Sequence, residues 1–364
     1  MAAEKDLAYL PDYAVPPGET LLETIEALGM TQADLAARTG RTLKMINEIV
    51  KGKAPIRPDT ALQLERALGV PASFWNNRER NYREVLARRE ERERLKGRVR
   101  WLGELPVRSM VKLGWVTEYR DKVRQLQELL NFFGVASPDQ WRGLWGGPEV
   151  AFRKSAAFRS NPGAVAAWLR KGEVDANRIQ CALYDETKFR AALNAIRALT
   201  VEPPDVFQPE LVRLCSEAGV AVVFTPELPG TRVSGATRWL SPDKALIQLS
   251  LRYKTNDHLW FTFFHEAGHI LIHGKREVFL EEEKSEDGKE NEADRFASNV
   301  LIPAGEYQKF VERDAQNQGE IHRFAEQLGI APGIVVGRLQ HDGVIPQSYF
   351  NELKIRLAWA RHSA

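Results

Sequence analysis

Polar and apolar residues follow a helical spacing over most of the chain. Three short amphipathic segments near its start each end at a glycine, which predicts short helices joined by tight turns. The segments are Leu21–Gly29, Thr31–Gly40 and Arg41–Gly52. Thr31 and Thr42 are suitable N-cap residues for the second and third helices. Wider apolar faces around residues 123–133 and 189–196 predict a helical middle region.

The pattern changes after residue 206. A helix near 208–218 leads into Gly219–Phe224, a β-branched run that predicts a buried strand. Two shorter strand-like segments follow at 232–239 and 244–250, and a strongly apolar helix begins near Asn256. The expected fold is therefore mostly α with a small α+β part. We expect the 244–250 strand to form the sheet edge that aligns an extended peptide by backbone pairing.

These changes divide the chain into five regions. We expect an N-terminal tail at 1–16, a helix-turn-helix bundle at 17–80, a charged helix with a helical middle region at 81–203, a domain with a small β-sheet at 204–305, and a helical C-terminal region at 306–364. An acidic run at 281–288 is expected to be a solvated loop.

Composition limits the class of protein. At 364 residues, with 43% hydrophobic and 27% charged residues, the chain has the size and make-up of two or three globular domains. No apolar run reaches the roughly 18 residues of a membrane span, and the first residues lack the pattern of a secretory signal. The two cysteines, Cys181 and Cys215, cannot build a disulfide framework, which favours a reducing, cytoplasmic location. The net charge of +2 means that any nucleic-acid surface must be local.

Residues 76–100 are the most basic stretch. Ten Lys and Arg residues against five Glu give it a net charge of +5. Such a segment is typical of a solvated helix laced with i,i+4 ion pairs, and a helix that also touches DNA phosphates is the alternative.

The early helices have the spacing of a helix-turn-helix. In the third segment Met45, Ile46, Ile49 and Val50 share the inner face, which leaves a polar outer face. A short helix, a tight turn and a second helix with such a face is what insertion into a major groove requires. A generic three-helix core would show the same spacing.

This region resembles the XRE-type helix-turn-helix of the HigA/VapI antitoxin group. The matching stretches are Pro17–Leu21, Thr31–Ala36, Ile46–Lys53 and Pro58–Gly69, followed by Phe74–Trp75. The resemblance implies binding to operator DNA. The residues that it places nearest DNA are Gln32, Arg41, Thr42, Lys44 and Asn47. Asn47 would pair with adenine, and Arg41 or Lys44 would reach guanine or phosphate.

A second motif lies in the apolar helix. His265 and His269 are four residues apart, so both imidazoles project from one helical face and can reach one tetrahedral zinc ion. Glu266 stands where a general base that activates water is needed. A chance match to H-E-x-x-H is expected in roughly one such chain in a hundred. The competing interpretation is a pair of core histidines bonded to carbonyls.

A third ligand must come from elsewhere. Glu290 and Asp294 are i,i+4, so Glu290 can bind the metal while Asp294 accepts a ring N–H from a ligand histidine. Glu292 lies about 200° round the helix from Glu290, so both cannot face the metal, and Glu292 remains the alternative. His273 is one more turn along and is expected to cap the pocket or orient a ligand, with direct binding to the metal as the less favoured alternative. A metzincin would need histidine at position 275, which is Lys275.

The second half resembles the ImmA/IrrE family of metallo-endopeptidases. The matches are His265–His269, Ile270–Gly274 and Glu290–Pro303, with a similar strand region at Gly219–Leu251. The resemblance implies a zincin-like, gluzincin-type domain with one zinc ion per chain, and limited proteolysis of an XRE-type transcriptional repressor that controls stress or mobile-element genes. His273 and Tyr253 are candidates for the group that stabilises the oxyanion.

Two functions from different classes follow. The first is a cytoplasmic DNA-binding regulator that carries a zinc endopeptidase. The second is a non-enzymatic, HigA-like antitoxin or repressor with a structural or sensory metal site. In a weaker third version, an intact protease uses its N-terminal domain to recognise its protein substrate. Binding to two operator half-sites would demand a homodimer, although no coiled-coil seam is present in the sequence.

Overall fold

The computed structural model describes residues 15–145, 161–274, 279–280, 288–313 and 317–360. Positions 1–14 of the predicted tail and 281–287 of the acidic run lie outside the described residues. Spatial contacts between Cα atoms divide the chain into two compact units, Met1–Val99 and Arg100–Ala364.

Five helices form the first unit in the part of the chain that is described. They are α1 (Pro17–Ala27), α2 (Gln32–Thr39), α3 (Leu43–Val50), α4 (Pro58–Leu68) and α5 (Ala72–Lys96). Their apolar faces meet in a core that includes Leu21, Leu35, Ile46, Leu64 and Trp75, each fully buried. Thr31 and Asp34 cap α2 reciprocally, and the Thr42 hydroxyl accepts from the Met45 amide at the start of α3.

Helix α5 extends beyond this core. Its first turns pack through Trp75 and Glu79, and positions 87–94 are exposed. Arg83 pairs with Glu79 at 2.6 Å and Arg88 with Glu84 at 2.7 Å, which are the i,i+4 pairs expected of a solvated charged helix. The predicted domain boundary at 80–81 falls within this continuous helix.

The second unit is also mainly helical over its described residues. Its helices are α6 (Val107–Lys112), α7 (Lys122–Phe133), α8 (Pro138–Trp145), α9 (Pro162–Ala176), α10 (Glu186–Ala198), α11 (Pro204–Glu217), α12 (Asn256–Ile272), α13 (Gly288–Leu301), α14 (Ala304–Glu312), α15 (Gln318–Leu328) and α16 (Pro332–His341). Short 3-10 turns occupy Val99–Glu104, Leu199–Val201 and Asn351–Leu353.

A small sheet lies within this unit. Its described strands are β1 (Val220–Phe224), β2 (Gly235–Ser241), β3 (Lys244–Leu249) and β4 (Phe279–Leu280), in the order β1-β3-β2-β4. Strand β3 pairs in parallel with β1 and antiparallel with β2, while β4 pairs antiparallel with β2. The expectation that the 244–250 strand is the sheet edge is therefore wrong, because both sides of β3 are occupied by other strands.

Helices cover both faces of the sheet. The Thr237 hydroxyl donates to the Glu266 carbonyl of α12 on one face, at 3.0 Å. On the other face the Gln248 amide donates to the Trp168 carbonyl of α9, at 2.8 Å. The predicted fold class is confirmed: mostly α, with a helix-turn-helix bundle first and a small sheet in the C-terminal part.

Candidate metal centre and nucleic-acid surface

Helix α12 is buried nearly all round. It contacts β2 and β3 on one side and α13 and α16 on others, so its aromatic and aliphatic residues lose contact with water. Among the buried polar residues of this helix, His265, Glu266 and His269 have relative exposures of 2%, 0% and 1%. Buried polar groups of this kind require partners, so the helix predicts a ligand for them.

Helix α13 packs closely against α12. A methyl group added at Gly268 of α12 would come within 3.3 Å of the Ala293 Cα and 3.1 Å of the Phe296 ring. This close approach brings the first turns of α13 over the two histidines. At the other end of α13, the Arg197 guanidinium donates to the carbonyls of Val300 (2.8 Å) and Leu301 (3.0 Å). Arg197 thereby holds the C-terminal end of α13 against α10.

Three side chains converge where α12 meets α13. His265 Nε2 lies 3.0 Å from His269 Nε2 and 3.0 Å from Glu290 Oε2, and His269 Nε2 lies 3.5 Å from the same oxygen. Within the described residues this is the group of His, Cys, Asp and Glu able to hold a metal ion. In a tetrahedral site with bonds of about 2.0–2.1 Å, ligand atoms are roughly 3.3–3.4 Å apart, so the spacing fits.

The electrostatics of this cluster also suit a cation. Burial alone would raise the pKa of Glu290, but hydrogen bonds to His265 and His269 outweigh it and lower the pKa to about 2. Burial lowers the pKa of His269, which Glu290 only partly offsets. Near neutral pH the cluster thus offers a carboxylate and a neutral imidazole, the forms that bind metals.

Outer residues fix the orientation of both imidazoles. Asp294 Oδ1 lies 2.8 Å from His265 Nδ1, so the ring N–H points to the carboxylate and the Nε2 lone pair points into the cluster. His269 Nδ1 lies 3.0 Å from His273 Nδ1, and His273 Nε2 lies 3.2 Å from Glu292 Oε2. Glu292 therefore contacts His273, whereas Glu290 contacts the two inner histidines.

Glu266 lies against the start of β2. A methyl group added at Gly235 would come within 2.6 Å of Glu266 Oε1 and 2.5 Å of the Thr262 methyl. Glycine at this position therefore leaves the carboxylate in its observed place, and a larger residue would force Glu266 or Thr262 to shift. Gly235 was not among the predicted site residues, and a glycine that opens a strand is the only signal for it in the sequence.

The two proposed oxyanion groups lie in different places. His273 is in the layer behind His269, and its side chain is 4% exposed. Tyr253 is stacked on His258 with ring centroids 4.2 Å apart. His258 precedes His265 by two helical turns, which is about 10 Å along the axis.

The predicted DNA-contacting residues lie around the start of α2 and α3. Asn47 Nδ2 donates to Gln32 Oε1 at 3.3 Å, which brings the two amide side chains together. Lys44 projects into solvent, with its side chain 85% exposed and its ammonium 4.0 Å from Glu48. The Thr42 hydroxyl is used as the N-cap of α3.

Arg41 is held by two partners on α4 that were not predicted from the sequence. Its Nε donates to Gln63 Oε1 at 2.6 Å, and its Nη2 pairs with Asp59, both on α4. Its side chain is 21% exposed. With one edge of the guanidinium engaged, Arg41 is less free to bind a guanine in the two-point manner than an unpartnered arginine would be.

An open groove of about 500 Å³ runs along the outer face of α3 and the turn after it. It is lined by Leu43, Lys44, Asn47, Glu48, Lys51 and Lys53. Three of these six residues carry positive charge, which suits a phosphate backbone. Leu43 was not among the predicted contacts.

The fold and the site define a helix-turn-helix domain joined to a metallopeptidase-type domain. Residues 21–75 match the helix-turn-helix family, and residues 215–340 match the IrrE N-terminal-like domain of the peptidase M78 family. The chain carries both: an XRE-type helix-turn-helix at the N-terminus and an IrrE/ImmA-like domain at the C-terminus, as the resemblances implied.

The N-terminal part is also similar to solved antitoxin structures. An addiction module antidote protein of the HigA family from Coxiella burnetii is 27% identical over 23% of this chain and 92% of that chain, with a TM-score of 0.22. Antitoxin HigA of Pseudomonas aeruginosa, solved with the higBA promoter, is 26% identical over 23% of this chain and 94% of that chain, with a TM-score of 0.22. A search of curated proteins found no match. Over the described ranges, no helix combines the length and apolarity needed to cross a membrane.

Proposed function

We propose that the chain is a DNA-binding regulator that carries a zinc-dependent endopeptidase. The observation that carries this proposal is the buried convergence of His265, His269 and Glu290, with Glu266 beside them. These residues lie within the segment that matches the IrrE N-terminal-like domain.

The donor set fits one zinc ion per chain. Two imidazole nitrogens and one carboxylate oxygen, held by neighbouring helices, are the ligands of catalytic zinc sites that keep a fourth position open. Without a cation or a shared proton, two lone pairs and a carboxylate within 3.5 Å of one another would repel. When bound, zinc would supply Lewis-acid polarisation of the scissile carbonyl and would acidify a water molecule.

Glu266 is assigned the proton transfers. Its carboxylate is fully buried and is next to His265 in the chain, so it can take a proton from the attacking water and deliver it to the leaving amine. Asp294 and His273 would keep the two imidazoles in the orientation that ligation requires. Because Glu266 lies against Gly235, we expect the scissile bond of a substrate to lie near the start of β2.

The substrate that we propose is an XRE-type transcriptional repressor. The proposal is supported by the helix-turn-helix on the same chain, which would bring the protease to operator DNA where such repressors bind. Gln32, Thr42, Lys44 and Asn47 are the proposed contacts, with Arg41 in a more restricted, phosphate-directed role. A homodimer is part of the proposal if the operator has two half-sites. Cys181 and Cys215 are free thiols, in keeping with a cytoplasmic location.

Metal content tests the metal centre. Purified wild type is compared with His265→Ala and Glu290→Ala, and with Glu292→Ala as the matched control on the same helix. We expect about one zinc per chain in wild type and in the control, and loss in the other two variants. If metal is retained in Glu290→Ala but lost in Glu292→Ala, the third ligand is Glu292 rather than Glu290. No zinc in wild type would overturn the enzyme proposal.

Replacement of Glu266 separates the enzyme from the non-enzymatic regulator. Cells that produce wild type or Glu266→Gln are compared for new protein N-termini by mass spectrometry. The proposal expects cleaved repressor fragments in wild type only, with equal zinc content in both proteins. A metal-loaded wild type that yields the same N-termini as Glu266→Gln would favour the antitoxin-like repressor with a structural or sensory metal.

A further inference from the structure

Leu43 is an apolar side chain on the polar face of α3. It is the first residue of the helix, and 52% of its surface is exposed. The other apolar residues of α3 contribute to the core of the first unit: Ile46 and Ile49 are fully buried, and Met45 and Val50 pack against them. Leu43 is not part of that core, so folding alone does not explain a leucine at this position.

The surroundings of Leu43 limit what can contact it. It lines the α3 groove together with three lysines, Asn47 and Glu48, so the lining carries a net positive charge. Asn47 is four residues further on, so both side chains share a face and lie about 6 Å apart along the axis. Single exposed leucines are common on proteins, but this one stands among groups that suit a polyanion.

We propose that Leu43 contacts the 5-methyl group of a thymine in the major groove and thereby sets part of the operator sequence. The inference rests on the DNA binding proposed above. The first turn of a recognition helix meets base edges. Leucine has no donor or acceptor, and the thymine methyl is the apolar feature that the major groove offers it.

Asn47 and Leu43 would then recognise neighbouring positions by different means. Asn47 offers an amide that can bond adenine at two points. Leu43 would exclude water from the thymine 5-methyl group. It would disfavour any other base, because that base would present a polar edge to the leucine side chain. Base pairs are about 3.4 Å apart along the duplex, so a 6 Å separation spans roughly two steps.

The test begins with selection of duplexes from a random library by the full chain. Wild type, Leu43→Ala and Leu43→Gln are compared, with Leu62→Ala as the control, because Leu62 is a similarly exposed leucine on α4. We expect wild type and Leu62→Ala to select thymine at one position where both Leu43 variants lose that preference. Circular dichroism confirms that the variants stay folded.

The decisive step replaces that thymine by uracil, which removes only the methyl group. Wild type should bind about fourfold more weakly, since one buried methyl is worth roughly 0.8 kcal/mol. Leu43→Ala should bind both duplexes equally. An equal loss in wild type and Leu43→Ala, or an unchanged selected sequence, would overturn the inference and leave DNA binding intact.

Two further outcomes would also overturn it. If Leu43→Ala keeps the selected sequence but changes the mass of the particle in sedimentation, Leu43 is a contact between copies of the chain. If wild type retains no duplex at all, the inference fails together with the DNA-binding part of the proposed function.

Discussion

Helices α3 and α12 carry the two candidate sites, and they treat their polar side chains in opposite ways. Helix α3 buries Ile46 and Ile49 and leaves Lys44 exposed and Asn47 half-buried at the surface, whereas α12 is buried nearly all round and encloses His265, Glu266 and His269. Burial of the polar groups on α12 costs desolvation free energy. These groups therefore need a bound partner, such as a metal ion, to offset that cost. On α3 the polar groups lie at the surface, where Lys44 is open to water and Asn47 bonds to Gln32, so they do not require a ligand.

The difference has a practical consequence. Changes on α12 should alter function and stability together, because the same side chains are buried and functional. Changes on the outer face of α3 should alter function alone. The experiments below test this contrast, beginning with the largest expected effect.

Glu266→Gln should give the largest functional loss. Removal of a general acid–base typically lowers rates by roughly 10²–10⁴-fold, and the isosteric amide leaves the ligand cluster in place. The measurement is the rate of cleavage of a substrate found by N-terminal mass spectrometry, with zinc content as the control. A variant that loses zinc along with activity would show that Glu266 also supports the metal.

Acidification of the metal-free protein should reveal the ionised Glu290. Its folded-state pKa is depressed from 4.5 to about 2, so it stabilises the fold above pH 4.5, and this contribution is lost as the pH falls from 4.5 towards 2. The contribution is at most about 3 kcal/mol. Urea unfolding with a chelator should therefore show a steeper decline for wild type than for Glu290→Gln. Equal slopes would contradict the prediction.

Asp294→Asn should weaken zinc binding by roughly 10–100-fold, because the amide no longer fixes the His265 ring as the carboxylate does. Competition with a coloured chelator measures the affinity. Asp205→Asn, an exposed aspartate on α11, is the control and should bind zinc as wild type does. If both variants bind equally well, Asp294 does not position His265.

Asn47→Ala should cost about 1–3 kcal/mol in binding to the selected duplex. Because the variant loses only one long surface hydrogen bond, that to Gln32, the melting temperature should fall little. Fluorescence anisotropy and calorimetry measure the two quantities. Asn81→Ala on the exposed part of α5 should change neither. A large fall in melting temperature for Asn47→Ala would contradict the expectation that changes on the outer face of α3 leave stability unaltered.

Lys51→Ala should have the smallest effect. Loss of one phosphate contact weakens binding to all duplexes alike and lowers the slope of log affinity against log salt by about 1. Titrations at several salt concentrations measure that slope, with exposed Lys112→Ala as the control. An unchanged slope would place Lys51 away from the phosphates.

The buried helix could be predicted from the sequence in more detail than the exposed one. A continuous apolar run with two histidines four residues apart leaves few explanations, and the i,i+4 pair Glu290 and Asp294 points to a second helix nearby. The structure places these side chains together. Their roles remain predictions until metal is measured.

Features that depend on distant parts of the chain could not be predicted in this way. Strand β3 has the composition of any short strand, and its central place follows from pairing with β1 and β2. Likewise, nothing near Arg41 in the sequence indicates that Asp59 and Gln63 hold it. Exposed residues such as Leu43 give little signal because folding does not constrain them.

Gly235 has a consequence for natural variation in chains of this kind. Because the Glu266 carboxylate and the Thr262 methyl occupy the space that a side chain at 235 would need, even alanine there would force these two side chains to shift. If Glu266 is the proton-transfer group proposed above, a relative with an intact H-E-x-x-H motif but a larger residue at this strand position should cleave slowly and keep its metal ligands. The identity of the residue at position 235 in a genome sequence would then help to distinguish relatives that cleave a protein from relatives that do not.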